Sequence, residues 1–203
     1  VGSWQPLTER LEGELVVVEP LAAEHEDALF EAGHDREVWT YLSAFPDAYE
    51  TRERFHSWMQ QALAATARGE EGAWAILDRA SERPIGSTRY LALRPEHRSL
   101  EIGWTWLGRQ WWRTGANVET KLLLFTRAFE TLGCERVELK TDARNGRSRA
   151  AMADLPAQFE GVHRHHMALV DGGWRDTAWY SVIAPEWPGV RAHLRERLAR
   201  SAA

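Results

Sequence analysis

Apolar residues along this chain follow two spacings, and the spacings predict the elements. "ELVVVEPL" (14–21) is a short unbroken apolar run that stops at Pro20, the pattern of a buried strand. "AAEHEDALFEAG" brings Leu21, Ala28, Leu29 and Ala32 near one helical face, with Gly33 as the stop. "DREVWTYLSAFPDAYE" reads as a short helix or turn, then a loop broken at Pro46. Thr51 is placed to cap the next helix, where Phe55, Trp58, Met59, Ala62 and Leu63 recur at i, i+3, i+4, i+7 and i+8 until Gly69.

Strands follow. "AWAILDR" (73–79) and "PIGSTRYLAL" (84–93) are joined through "ASER", and "PEHR" turns into "SLEIGWTWLG" (99–108). Strict alternation on this third strand places Glu101, Gly103, Thr105 and Leu107 on one face and Leu100, Ile102, Trp104 and Trp106 on the other, core face. A helix comes next, with Val118, Leu122, Phe125, Phe129 and Leu132 as its stripe and Gly133 as its stop. "ERVELKTDARN" (135–145) is a strand, and "GRSRAAMADLP" a short helix cut at Pro156. "QFEGVHRHHMALV" and "WRDTAWYSVI" form a hairpin through "DGG". "EWPGVRAHLRERLARS" ends as a helix with Trp187, Val190, Leu194 and Leu198 on one side.

This order implies an α/β (α+β) fold, a mixed sheet with helices on both faces. No linker or internal repeat interrupts it, so the expectation for 203 residues is one domain over 1–203, its core about 12–190 and its last helix 186–200. The net charge of -5 argues against general attraction to nucleic acid or an anionic membrane. "VGSWQPLTERLEGEL" lacks the apolar run of a signal peptide, and no stretch reaches the roughly 18 apolar residues of a membrane helix, so a cytoplasmic protein is expected. The single cysteine, Cys134, excludes an intrachain disulfide and reads as a small buried thiol. Several of the 11 tryptophans must line a core; so many large, partly polar rings also suit the wall of a groove or interface.

The stretch "GRQWWRTGANVETKLLLFTRAFETLG" (108–133) carries the first candidate chemistry. A helix's first turn offers unpaired N–H groups and the positive end of its dipole, which suits a phosphate. Residues 113–118, "RTGANV", hold that place: Gly115 and Ala116 permit close backbone approach, and Arg113 adds charge. An ordinary helix start has the same composition. Asn145 and Ser148 stand where a strand gives way to a helix, as a cap or as ligand contacts. In "HRHH" (163–166), His163 and His165 would share one strand face with His166 opposite; no acid or cysteine stands at a zinc spacing, so no metal is expected. Hydrolase elbows, phosphate-binding Gly-Lys-Ser/Thr loops and dinucleotide fingerprints are absent from the sequence.

The element order and these motifs together resemble the GCN5-related N-acetyltransferase (GNAT) superfamily, and more narrowly the branch of ribosomal-protein N-terminal alanine acetyltransferases. The resemblance covers about residues 12–190 and is carried by "LEIGWTWLGRQWWRTGANVETKLLLFTRAFETLGCERVELKTDARNGRSRAAM" and "AQFEGVHRHHMALVDGGWRDTAWYSVI". It implies a mostly antiparallel sheet in which strand 99–107 splays from strand 135–142. It also implies acetyl-CoA as donor and an amine acceptor, a peptide N-terminus or a small molecule, with a homodimer possible. Arg113, Thr114, Gly115, Ala116 and Asn117 would hold the pyrophosphate. The backbone of Trp106 and Leu107 would pair the pantetheine arm, which Asn145 would also contact, and a main-chain N–H near Thr105 or Trp106 would face the thioester oxygen. Ser148 would be a proton donor near the sulfur. Two positions depart from the family pattern: Arg113 stands where the loop has its first glycine, and Pro156 where "LGxxxEG" has glycine.

Acetyl transfer to an amine needs a base, a donor for the developing oxyanion and a donor for the leaving thiolate. Glu101, the acid on the polar face of the cleft strand, is the base candidate, directly or through water; a solvated or salt-bridged carboxylate is the competing reading. Asp176 and Glu160 are the runner-up acids. Trp39, Tyr41, Arg89 and Tyr90 are the acceptor-side candidates, since "VWTYLSAF" (38–45) lies where the family's early helices cover the acceptor mouth; the aromatic three equally suit a core. The alternative function is a non-catalytic acyl-CoA-binding or protein-interaction domain on the same fold.

Overall fold

Strands whose sequence is apolar on both faces need cover on both, and the helices supply it. The computed structural model describes residues 4, 7–42 and 44–201. It contains β1 (Leu11–Glu12), β2 (Val16–Pro20), α1 (Glu26–Gly33), α2 (Arg36–Trp39), α3 (Arg52–Ala67), β3 (Gly72–Asp78), β4 (Pro84–Arg94) and β5 (Ser99–Leu107). These are followed by α4 (Ala116–Thr126), β6 (Arg136–Asp142), α5 (Gly146–Ala153), β7 (Gln158–Ala168), β8 (Trp174–Ile183) and α6 (Trp187–Ser201). The strands form one sheet in the order β1-β2-β3-β4-β5-β6-β8-β7. Every neighbouring pair is antiparallel except β5 and β6.

Adjacent residues of β2 and β3 go to opposite cores. Val16, Val18, Trp74 and Ile76 pack beneath α4 and α6 with Leu124, Phe125, Val190 and Leu194. Val17, Ala73, Ala75 and Leu77 pack beneath α1–α3 with Leu29, Phe55, Trp58 and Met59. The predicted stripe of α3 is buried at Phe55, Trp58, Met59 and Ala62, and Thr51 caps the helix by accepting from Arg54 N.

On β5 the expected alternation fails half-way. Trp104 has φ +50°, and pairing with β4 jumps from Arg89↔Gly103 to Ser87↔Trp106, so β5 carries one extra residue there. The bulge flips everything after it. Leu100, Ile102 and Leu107 lie in the core under α4, whereas Trp104 and Trp106 lie in the α1–α3 core.

Helix α4 is rotated from its predicted stripe. Phe125 is fully buried, but Val118, Leu122, Phe129 and Leu132 are only partly so, and the face against the sheet carries Glu119, Thr120, Lys121 and Leu124. Phe125 and Phe129 instead stack with Trp187 of α6. The carboxylate of Glu119 accepts from the backbone N–H groups of Glu14, Leu15 and Val16 at 2.8, 2.7 and 2.8 Å, tying the first turns of α4 to the start of β2. A similar break alters β7: with His165 at φ +49°, His163 and His166 both contact the Trp179 ring, while His165 stacks on Trp174. The predicted His163–His165 face does not form.

Candidate active site

The site follows from where β5 and β6 part. Parallel pairing joins only Ser99↔Arg136, Leu100↔Val137 and Glu101↔Glu138. Beyond that point β6 pairs with β8 and β5 with β4, so a wedge opens between residues 102–107 and 139–142. The first turn of α4 stands next to the chain that leaves β5, joined by the loop 108–115.

Gly115 caps α4 at φ +88°, and Arg113 takes φ +65°. The arginine thus holds a left-handed conformation at the position where the family loop has glycine, at a steric cost of roughly 1–2 kcal/mol. Its side chain is solvent-exposed. Thr114 Oγ1 donates to Trp111 O at 2.8 Å, which closes the loop. Trp112 Nε1 donates to Leu107 O at 2.9 Å, so one of the two expected backbone partners for a pantetheine arm is already engaged. Trp106 places its indole in the α1–α3 core against Trp39 and Trp58.

Across the wedge, Asn145 caps α5, its Oδ1 accepting from Ser148 N at 3.0 Å. The capping reading of this pair is therefore realised. Asn145 also lines a cleft of about 260 Å³ with Glu37, Thr40, Tyr41, Gly146 and Arg147. Tyr41 hydroxyl reaches Arg144 O at 3.4 Å, and the Arg147 guanidinium lies 3.5 Å from the centre of the Trp112 ring. Tyr41, Asn145 and the loop tryptophan are thus brought together.

The other acceptor-side expectations fail on burial. Trp39 is fully buried and donates from Nε1 to Gly33 O. Tyr90 is fully buried, with its hydroxyl donating to Leu124 O at 2.5 Å in the core under α4. Arg89 is 1% exposed, between the rings of Trp58 and Trp104, with Nη1 on Glu71 Oε2 at 2.9 Å. None of the three lies on an open mouth. The runner-up acids are tied into structure: Glu160 accepts from Arg136 and Ser181, and Asp176 from His165 N.

Glu101 is 2% exposed at the apex of the wedge, with Lys140 Nζ 2.8 Å from its Oε2. Burial raises its pKa above the ordinary carboxylate value, and the charge of Lys140 opposes that only in part. Gly103 leaves room for it: a Cβ there would lie 2.7 Å from Glu101 Oε1. The salt-bridged arrangement weighed from sequence is thus present, in a buried setting.

Sequence reasoning missed Lys121. It is buried on α4 and donates from Nζ to Thr105 Oγ1 at 2.8 Å, and Thr105 Oγ1 lies 2.8 Å from Thr88 Oγ1. The bulge at Trp104 turns Thr105 toward α4, where unbroken alternation would point it away. Burial pulls the lysine's pKa down from 10.5 to about 7, partly opposed by Glu101. Between those two values the unfolded chain binds a proton that the folded chain does not, so the penalty for burying this group is full at pH 7 and below and is relieved progressively as pH rises toward 10.5. Lys121→Met is accordingly expected to raise the melting temperature most at pH 7 and below, with the gain shrinking toward pH 10.5. Paired thermal melts across that range check it; a gain independent of pH would contradict the buried-charge account.

The model of the acetyltransferase (GNAT) domain family matches residues 16–157, well over half of the chain. The chain belongs to the GNAT acetyltransferase family. It is an acyltransferase of the N-acetyltransferase type. Among its relatives is the uncharacterized N-acetyltransferase YoaA of Bacillus subtilis (strain 168), 28% identical over 86% of this chain and 97% of that one. A GCN5-related N-acetyltransferase from Brucella melitensis superposes with TM-score 0.84 at 32% identity, covering 96% of this chain and 90% of the other. RimL, a ribosomal alpha-N-protein acetyltransferase solved in complex with coenzyme A, shares the fold at TM-score 0.71 and 19% identity, over 86% and 98% of the two chains.

The GNAT wedge fits an acyl-CoA chemically. The edge of β5 from Ile102 to Leu107 has no β6 ladder, the α4 N-terminus follows at its open end, the connecting loop carries an exposed Arg113, and Arg147 lies over the ring of the loop's Trp112. Among the described residues, no helix is long and apolar enough to cross a membrane.

Proposed function

We propose that this GNAT chain moves an acetyl group from acetyl-CoA to a primary amine, a peptide N-terminus or a small molecule, by direct transfer in a ternary complex. The observation that carries the reading is the unpaired edge of β5 opening beside the α4 N-terminus. In this reading residues 113–117 (Arg113, Thr114, Gly115, Ala116 and Asn117) hold the pyrophosphate. Asn145 contacts the pantetheine arm through the cleft it lines, and half-buried Ser148 stands one turn further along α5. The thioester supplies the activated acetyl group; Glu101 takes the acceptor's proton, directly or through water. Tyr41 is the acceptor-side residue that its position supports.

Direct transfer, with no acyl-enzyme, is supported by Cys134. It is 2% exposed, and burial pushes its thiol up to about 12, so it is neither accessible nor ionised as a nucleophile needs. The test has two stages. Acetyl-CoA well above a micromolar affinity is expected to raise the melting temperature. Incubation with acetyl-CoA and a mixed library of amines and peptides is then expected to give acetylated products, read by mass spectrometry, with matching release of CoA thiol. Absence of stabilisation overturns the reading. Stabilisation without an acetylated product or released thiol replaces it with the non-catalytic acyl-CoA-binding alternative.

A further inference from the structure

A lysine inside a helix–sheet interface is a poor structural choice. Burying its ammonium is unfavourable unless a carboxylate compensates, and methionine would fill the same volume without that penalty. Among the described residues, no carboxylate lies within salt-bridge distance of Lys121. Its hydrogen bond goes to a neutral hydroxyl, Thr105 Oγ1. An ammonium has three donors, and Thr105 takes one.

Its placement relative to the wedge is specific. Thr105 lies in the segment of β5 that β6 leaves unpaired, one residue past the bulged Trp104. Lys121 is five residues into α4 from Ala116, about 7.5 Å along the axis from the turn proposed to hold the pyrophosphate. An acyl-CoA anchored ahead of that turn and running inward along the unpaired edge of β5 would pass Thr105, the residue that holds the amine. The negative charge of Glu101, at the apex of the wedge, partly offsets the cost of burying the amine.

We propose that Lys121 is a catalytic residue whose Nζ, oriented by Thr105, donates a hydrogen bond to the thioester carbonyl oxygen of the bound acyl-CoA. The contact recognises the acylated donor over free CoA, and it strengthens as negative charge builds on that oxygen during transfer. No bond to Lys121 forms or breaks. The inference rests on the acyl-CoA reading of the wedge.

Calorimetric titration of CoA and of acetyl-CoA into wild type and Lys121→Met separates the two. A charge-assisted hydrogen bond predicts that Lys121→Met weakens acetyl-CoA binding about ten- to a hundred-fold and leaves CoA binding within about twofold. Lys121→Gln, which keeps a neutral donor, is expected to fall between. Equal loss for both ligands would make Lys121 a contact to the arm or a packing residue, and unchanged affinity for both would remove it from the site; either outcome overturns the proposal. Wild-type protein that binds neither ligand overturns the acyl-CoA reading itself, and this inference with it. Melting temperatures of the variants, measured without ligand, report whether each is folded at the temperature of titration.

Discussion

Glu101→Gln is expected to lower turnover about a hundred-fold or more while acetyl-CoA affinity stays within about twofold. The carboxylate sits at the apex of the wedge, buried, and in the proposed reaction it takes the proton that the acceptor amine sheds. Its raised pKa brings it nearer neutrality and makes it a stronger base than a solvated glutamate. A base works only when deprotonated, so wild-type kcat/KM should rise with pH through this raised value, and the variant should lose that limb. Lys140 supplies a control, because glutamine leaves its ammonium without the counter-charge it has at 2.8 Å. If the loss arose from that stranded charge, adding Lys140→Met would restore activity. For a proton acceptor, the double variant stays as slow as Glu101→Gln. Full activity of Glu101→Gln, or an unchanged pH profile, removes the residue from the base role.

Most elements were legible because apolar spacing reports burial directly. The stripe of α3, the apolar runs of β2 and β3 and the "DGG" hairpin all fall where the periodicity puts them. Faces were less legible than elements. Nothing in "EIGWTWLG" announces that Trp104 is the bulged residue, since a left-handed tryptophan runs against its own preference. Alternation then assigns every later residue of β5 to the wrong side. That error hid the meeting of Thr105 with Lys121, although both residues were in plain view.

Charge misled in the same way on α4. Spacing seeks the apolar stripe, and the leucines and phenylalanines of this helix are numerous enough to draw it. The face against the sheet is the polar triplet Glu119, Thr120 and Lys121. A charged residue becomes buried through a partner distant in sequence, here the start of β2 or the bulged strand, and no local pattern encodes that. Trp39 and Tyr90 illustrate the complementary ambiguity. An aromatic ring suits a pocket wall and a core equally; sheet register puts Tyr90 in the core, and packing of α2 against α3 and β5 puts Trp39 there. The loop residues fall just before and at the start of α4, where order along the chain puts them; that Arg113 would adopt a left-handed conformation was visible only in its backbone.

Glu119→Ala tests whether that buried polar face positions the site. Truncation leaves three backbone N–H groups, of Glu14, Leu15 and Val16, without their acceptor at a part-buried edge. At about 1 kcal/mol or more for each donor, the expected loss is about 3 kcal/mol of unfolding free energy, a drop of roughly 6–12 °C in melting temperature for a chain of this size. Hydrogen exchange should accelerate at those three amides before it does in β3 or β4. The partner in this contact is Gly13, where a Cβ would lie 2.4 Å from the Glu119 carboxyl carbon. Gly13→Ala should therefore be strongly destabilising in the wild-type chain and nearly neutral once Glu119 is alanine, a coupling that a double-mutant cycle reads directly. Additive losses would mean that Glu119 and Gly13 act separately. In that case the first turns of α4 are held by packing alone, and the alignment of its N-terminus with the wedge does not depend on this carboxylate.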